Sequence, residues 1–476
     1  MSVFEINDQL QSTFLINKSK INGRLDPNFN YFNRIVQHKL NSSKYPVKRL
    51  MDGISFIQYG TSSLASREEV GCPVIRMNNI QDETLDFTDI KYISLTDKEV
   101  NNYRLNKGDL LFNRTNSKEL VGKCAVFLEE GTWVYASYII RVQLNESYLL
   151  PQYVSTFLNS PIGRLQINSI SRQIAGMTNI NAEEIKELKI PVPPLEIQKS
   201  IVEYIGEARR IKTQKEVQAA DQIAHVDNYL LTELGISVLD SDGALENRIF
   251  KVNFSETSGK RFDPLFFYQN FLDQVAGGRY PVELLNRHVA YLQSGFAAGK
   301  GDQSMNNEDI IQIRPTNFSN TRELVFDRNV YIPRETIMKS TNDILQSSEI
   351  LFNNTNSQEL VGKSVLFDLD GTYCCSNHIT RIGTASSLDS GFLEHLLNLY
   401  QRQKVFFRIC TNWNNQSGVN NDVLGGLPIP IPPVEKQRSI ANTITALRNS
   451  AKQLRQEAKN ELEIAQQTIE RIILNE

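Results

Sequence analysis

Two short turns hold the side chains best suited to recognition chemistry. LLFNRTNSKELVGK (110–123) returns as ILFNNTNSQELVGK (350–363), 240 residues later. The first turn offers Asn113, Arg114, Asn116, Ser117 and Lys118; the second offers Asn353, Asn354, Asn356, Ser357 and Gln358. Planar amides and guanidinium groups match the hydrogen-bonding edges of nucleic-acid bases, and cationic groups meet phosphates. A plainer reading also stands: Asn, Thr and Ser close an Asx-type turn, with Leu120/Leu360 and Val121/Val361 as core. The two readings combine if the shared positions shape the turn while Arg114/Asn354 and Lys118/Gln358 discriminate. Arg172 and Gln173 in SRQIAG (171–176) form a second candidate set. Their counterparts are Asn412, Asn414, Asn415 and Gln416 in TNWNNQSG (411–418). Gln58, Arg67, Arg76, Lys300 and Arg314 are weaker candidates, of a kind that any surface carries. The basic cluster Arg209, Arg210, Lys212 and Lys215 reads first as a solvated helix face and second as a backbone contact.

Catalytic patterns fail on inspection. DPNF (26–29) and DPLF (263–266) lack the second proline of an amino-methyltransferase motif, and no Gly-rich cofactor turn accompanies them. GFAAGKGD (295–302) is one residue short of a phosphate loop and lacks the Ser or Thr after its lysine. Glu129/Glu130 have no lysine or histidine arrangement that suggests nuclease chemistry. Five cysteines form no CxxC pair, and five histidines form no HExxH. With 40% hydrophobic and 22% charged residues, the 476-residue chain has the composition of a globular protein of two or more domains. It has neither a secretory signal nor an apolar run near the ~20 residues that cross a bilayer. The expectation is a cytoplasmic, reduced, metal-free protein without membrane contact. Its net charge of −3 leaves nucleic-acid binding to local patches or to a partner.

The elements that must position these residues come in two copies. PVPPLEIQKSI (191–201) opens some forty residues without proline, rich in helix formers and ending at Gly235, a helix stop. Its Pro191, Pro193, Pro194, Glu196, Gln198, Ser200 and Ile201 match Pro430, Pro432, Pro433, Glu435, Gln437, Ser439 and Ile440, all 239 residues on. Upstream, Arg24-Leu25-Asp26-Pro27 matches Arg261-Phe262-Asp263-Pro264. YPVKRLMDGISFIQYG (45–60) matches YPVELLNRHVAYLQSG (280–295), and VIRMNNI (74–80) matches QIRPTNF (312–318). These read as short strands and polar loops, followed by one helical segment in each half, 153–167 and 392–407. The last helix alternates apolar steps of four and three from Ile440 to Ile472, a coiled-coil register. In the first helix, Lys212 and Lys215 interrupt that seam. The expected architecture is mixed α/β: an arm (1–12), a first domain (13–190), a central helix (191–235), a linker with the second domain (236–428), and a terminal helix (429–476).

Stated twice in this order, RLDP, YPV with QxG, LLFNRTNSxELVGK and IPxPPLExQ before a long helix resemble the DNA-specificity subunit of Type I restriction-modification enzymes. The resemblance runs from about residue 13 to the end. It implies two target-recognition domains, with the two long helices packed between them as an antiparallel coiled coil. It implies a non-catalytic chain that binds double-stranded DNA and two adenine methyltransferase subunits. The cofactor, S-adenosylmethionine, belongs to those partners, and a translocating nuclease subunit can also join. Glu196, Gln198, Glu435 and Gln437, shared at the two helix starts, are then expected at the methyltransferase interface; the plainer alternative is that they cap the helices. The differing turns imply an asymmetric, bipartite target. The alternatives are a stand-alone methyltransferase or restriction enzyme, which would work without a partner, and a coiled-coil adaptor that does not bind DNA.

Overall fold

The computed structural model describes residues 27–474 apart from 82, 118–119, 175–176, 239–250, 258–263, 268–269, 340 and 414–415. The arm (1–12), the Arg-Asp pairs Arg24/Asp26 and Arg261/Asp263, and three candidate site residues, Lys118, Asn414 and Asn415, therefore lie outside the described residues. The chain divides into two compact units, residues 1–215 with 456–476, and residues 216–455.

In the first unit, Ile54–Tyr59, Ile139–Leu144, Leu110–Asn113 and Cys124–Val126 form, in that order, a four-stranded antiparallel sheet. In the second, Val289–Ser294, Ile379–Thr384, Ile350–Asn353 and Ser364–Leu366 repeat it. Leu110, Leu111 and Phe112 have no exposed surface, nor do Ile350, Leu351 and Phe352. Their pleat sends alternate side chains to opposite faces, and both faces are covered. Leu110 and Phe112 join the core beside the long helices, while Leu111 packs with Ile75, Phe127 and Tyr135. The same split recurs at Ile350/Phe352 and Leu351. This explains why the sequence shows an unbroken apolar run instead of alternation.

Close approaches explain the repeated QxG. A Cβ on Gly60 would lie 2.3 Å from the Tyr135 carbonyl oxygen, and one on Gly295 would lie 2.3 Å from that of Cys375. The proline lead-ins start as strands, Lys189–Pro191 against Val47–Arg49 and Pro428–Pro430 against Val282–Leu284.

Two details differ from the sequence reading. The helical segment at 153–167 is two helices, Pro151–Asn159 and Pro161–Ile170. Pro161 drives Ser160 out of the helical region (ψ 162°), and the Ser160 hydroxyl then caps the second helix at the Gly163 N–H. In the second unit, Lys404 in the left-handed region (φ 60°) separates Ser390–Arg402 from Val405–Ile409. The strands in the segments at 74–80 and 312–318 break off at Ile75 and Ile313; a 3-10 turn follows each, and in the first a short strand, Ile80–Gln81, resumes after it.

The long helices are Leu195–Leu234 and Val434–Ile473, 40 residues each. Gly235 (φ +65°) ends the first as expected, with the Ile236 N–H donating to the Leu231 carbonyl and the Gly235 N–H to that of Thr232. In the first unit, Ile201, Ile205 and Ala208 share one core with Ala465, Ile469 and Ile473. In the second, Val226, Leu230 and Leu234 share one with Ile440, Ala441 and Ile444. The helices are therefore not separate segments appended to finished domains. Each supplies core to both units, because the apolar stripe has no other surface to cover it. Lys215, an interruption of the seam, reaches Glu457 at 2.7 Å. Arg209 pairs with Glu83, and Arg210 with Glu207 at 2.7 Å, so much of this cluster's charge is met within the fold.

Candidate nucleic-acid interface

The two candidate stretches of each half meet in one small sheet. Thr115–Asn116 pairs with Met177–Asn179, which pairs with Arg172–Ile174. In the second unit, Thr355–Asn356 pairs with Gln416–Gly418, which pairs with Thr411–Trp413. Residues over sixty positions apart in the chain thus form a single platform, built the same way twice.

Within the turns the shared positions are structural. The Asn116 and Asn356 side chains accept the N–H of Ser117 and Ser357, both at 2.8 Å. The Ser117 and Ser357 carbonyls accept from Leu120/Val121 and Leu360/Val361. Gly122 (φ +68°) and Gly362 (φ +92°) close the turns by donating to the Asn113 and Asn353 carbonyls.

Several candidates are corrected by burial. Asn113 and Asn353 are 1% exposed, and their Nδ2 groups donate to the carbonyls of Met77 and Leu360, both at 3.2 Å. Asn354 is also buried, donating to the Asn377 carbonyl (3.1 Å) and the Thr380 hydroxyl (3.0 Å). A side chain committed inward cannot present its amide to a base edge. The Gln358 amide is likewise engaged, donating to the Phe407 carbonyl at 2.8 Å. Gln198 and Gln437, candidates for partner contact, have no exposed surface, whereas Glu196 and Glu435 are exposed in the first turns of their helices.

The half-exposed or exposed candidates are Arg114, Asn116 and Ser117 in the first unit and Asn356, Ser357, Gln358, Asn412 and Gln416 in the second. Arg172 and Gln173 occupy the outer strand of the first platform. The Arg114 guanidinium lies over the Tyr59 ring, 4.8 Å from its centroid, which holds an extended cation at the platform edge. Asn412 accepts from the Ser417 hydroxyl at 2.6 Å, and Trp413 beside it stays 46% exposed.

Two concave surfaces flank the second platform. One, of about 790 Å³, is walled by Arg314, Arg328, Asn329, Asn356, Ser357, Asn377, His378 and Gln416, among others, with no carboxylate among its lining residues. The other, of about 540 Å³, includes Thr411, Trp413, Asn420 and Asp422. Arg328 and His378 escaped the sequence reading. Their signal was present, since each replaces a non-basic residue at the matching place of the first half, but a one-residue insertion between the halves hides the first match.

The buried thiols are placed for packing. Burial pushes the Cys124 and Cys374 thiols up to about 12 and raises Cys375 as well. Among the described residues no group of three or more His, Cys, Asp or Glu could hold a metal ion, and no helix is long and apolar enough to cross a membrane.

Comparison with known proteins supplies the relationship. The family model described as the Type I restriction modification DNA specificity domain matches twice, at residues 53–222 and 291–464, together more than half of the chain. The specificity subunit of the Type I restriction enzyme EcoKI of Escherichia coli (strain K12) is 29% identical over 175 residues, 36% of this chain and 38% of that subunit. The putative MjaX specificity subunit of Methanocaldococcus jannaschii is 27% identical over 165 residues, 34% of this chain and 39% of that subunit. Those two matches therefore span less than two-fifths of the relatives' lengths. The StySPI specificity subunit of Salmonella potsdam matches more broadly, 22% identical over 408 residues, 82% of this chain and 78% of its own. A chain solved in work on complex assembly and conformational transition of the type I R-M system shares the fold, with a TM-score of 0.52 at 10% identity, covering 90% of this chain and 96% of the other. On the twofold match of its sequence, with the same sheets built twice over, this chain belongs to the Type I restriction-modification DNA specificity family.

Proposed function

We propose that the chain is the DNA-reading, non-catalytic subunit of a Type I restriction-modification complex. The observation that carries this reading is the platform of turn and hairpin, built identically in both units but edged by different side chains. Each unit reads one half-site of duplex DNA. Arg114 over Tyr59 has no counterpart of its kind in the second unit, where Asn354 is buried, so the half-sites differ and the target is asymmetric. The two long helices act as an antiparallel coiled coil that sets an unread spacer between the half-sites. Two adenine methyltransferase subunits, which carry S-adenosylmethionine, dock on the helix starts. There the exposed Glu196 and Glu435 are the contacts, and Gln198 and Gln437 shape the surface from beneath. The full complex also takes a translocating nuclease subunit.

Methylome sequencing of a host that expresses this chain with its methyltransferase tests the reading. The expected outcome is adenine methylation at a split, asymmetric motif that disappears when either protein is omitted. Methylation by the purified chain alone would favour a stand-alone enzyme. A contiguous palindrome would overturn the division of labour between the units. Absence of any sequence preference would leave only the adaptor.

A further inference from the structure

Matching hydrogen bonds allow the two units to be compared residue by residue. The Asn79 side chain accepts the Arg76 N–H at 2.9 Å and donates to the carbonyls of Asp86 (2.9 Å) and Asp89 (3.3 Å). Asn317 accepts the Arg314 N–H at 2.9 Å and donates to the carbonyls of Val325 (2.9 Å) and Arg328 (3.4 Å). Arg314 thus stands where Arg76 stands, and Arg328 where Asp89 stands. In the same way the Tyr138 carbonyl accepts from the Arg114 N–H, and the His378 carbonyl from the Asn354 N–H, so His378 stands where Tyr138 does.

The exchange of Asp for Arg changes the local electrostatics. In the first unit Asp89 neutralises Arg76, with Nη2 to Oδ2 at 3.0 Å, and also draws Arg67 to 3.7 Å. The hydrogen bond from Arg76 holds the Asp89 carboxyl below its ordinary value. In the second unit, among the described residues, the Arg314 guanidinium hydrogen-bonds only the neutral Gln312 oxygen, at 2.8 and 3.0 Å. Among the described residues no carboxylate lies within ion-pair distance of Arg314 or Arg328. Both face the carboxylate-free cleft beside Asn356, Ser357 and Gln416. A concave wall of one sign focuses the field and concentrates anions in front of it. A planar guanidinium also matches the geometry of a phosphate.

We propose that the second unit carries a phosphate clamp, Arg314 and Arg328 with His378 beside them, that the first unit lacks, so that the two units grip DNA unequally. The second unit supplies most of the salt-sensitive hold on the DNA backbone; the first depends more on hydrogen-bonded contacts at Arg114 and its neighbours. This rests on the DNA-reading function proposed above.

The test is binding of the chain–methyltransferase complex to its methylome-derived target across a range of salt concentrations. Each phosphate contact contributes about 0.9 to the slope of log affinity against log salt. Arg328→Asp installs the first unit's own ion pair with Arg314, so the slope should fall by about two while sequence preference is kept. Arg328→Gln removes one charge without a new pair at an exposed position and should lower the slope by about one. Asp89→Arg, which releases Arg76, should raise it. Intact binding with an unchanged slope in both Arg328 variants would overturn the clamp and leave the DNA-reading function standing. A wild-type complex that shows no sequence-specific binding at any salt would overturn that function and the clamp together.

Discussion

Gln198 is fully buried, yet it bonds two loops to the start of its helix. Its Oε1 accepts the Leu150 N–H at 2.9 Å, and its Nε2 donates to the carbonyls of Tyr148 (3.0 Å) and Pro193 (2.9 Å). Gln437 repeats the arrangement with the Asp389 N–H and the carbonyls of Ser387 and Pro432. A repeated polar residue can therefore mark an internal fastening as readily as an interface. Gln198→Ala strands a buried donor and two acceptors, so a loss of about 1–3 kcal/mol is expected in the first unit, with faster hydrogen exchange at the Leu150 amide. An unmoved denaturation midpoint together with lost methyltransferase assembly would return Gln198 to the partner face. Asn354 carries a related lesson. Its exchange with Arg114 looks like a substitution of reading residues, but only the arginine reaches the surface. The turn was legible because its Asn, Ser and Gly fix backbone geometry; the burial of single amides was not, since it depends on strands far away in the chain.

At the scale of elements, the units differ where a helix meets buried charge. Glu394 in Ser390–Arg402 is buried and receives Arg448 of the terminal helix at 3.0 and 3.1 Å, with His395 also against its Oε2. Its counterpart in the first unit is the neutral Ser155, identified by the parallel bonds of Asn159 and Asn398 to the preceding turn. Burial pushes the Glu394 carboxyl up, but His395 and Arg448 outweigh it and hold it down at about 2. A carboxyl depressed in the folded state stabilises fully above its unfolded value of 4.5, and that contribution is lost as pH falls toward about 2. The second unit should therefore lose stability steeply across that window. Denaturant titrations of Glu394→Gln should show a flatter dependence there, and parallel curves for variant and wild type would refute the assignment. The buried pairs Asp109–Arg141 (2.7 Å) and Glu349–Arg381 (2.6 Å) are a twofold feature of the sheets. They lay unnoticed in the sequence, because a charge in or beside a strand reads as solvent-facing until both faces of the sheet are known to be covered.

For the whole molecule, the helices carry the proposed spacing. Seven residues inserted after both Lys215 and Arg455, where the units divide, would lengthen a helix by about 10.5 Å at ~1.5 Å per residue, or about three base pairs at ~3.4 Å each. The methylome motif should keep both half-sites and gain about that spacer; a motif unchanged in length would contradict a helical ruler. Duplication, helix length and family were legible because they reside in residue identity and periodicity. The division of each long helix between the two compact units was not, since compactness follows where the apolar stripes of Ile201–Ala208 and Ala465–Ile473 are covered, and neither stripe announces its partner.

That sharing of cores has a consequence for synthesis. The second unit is one uninterrupted run, residues 216–455, whereas the first needs residues 456–476 to finish its core. Domains ordinarily fold in the order in which they leave the ribosome. Here the earlier unit must wait for roughly 240 further residues, roughly 12–50 s at ~5–20 residues per second. Until then Ile201, Ile205 and Ala208 lack their cover from Ala465, Ile469 and Ile473. The nascent chain thus completes its later half first, while Ile201, Ile205 and Ala208 of its earlier half stay without that cover until residues 456–476 emerge.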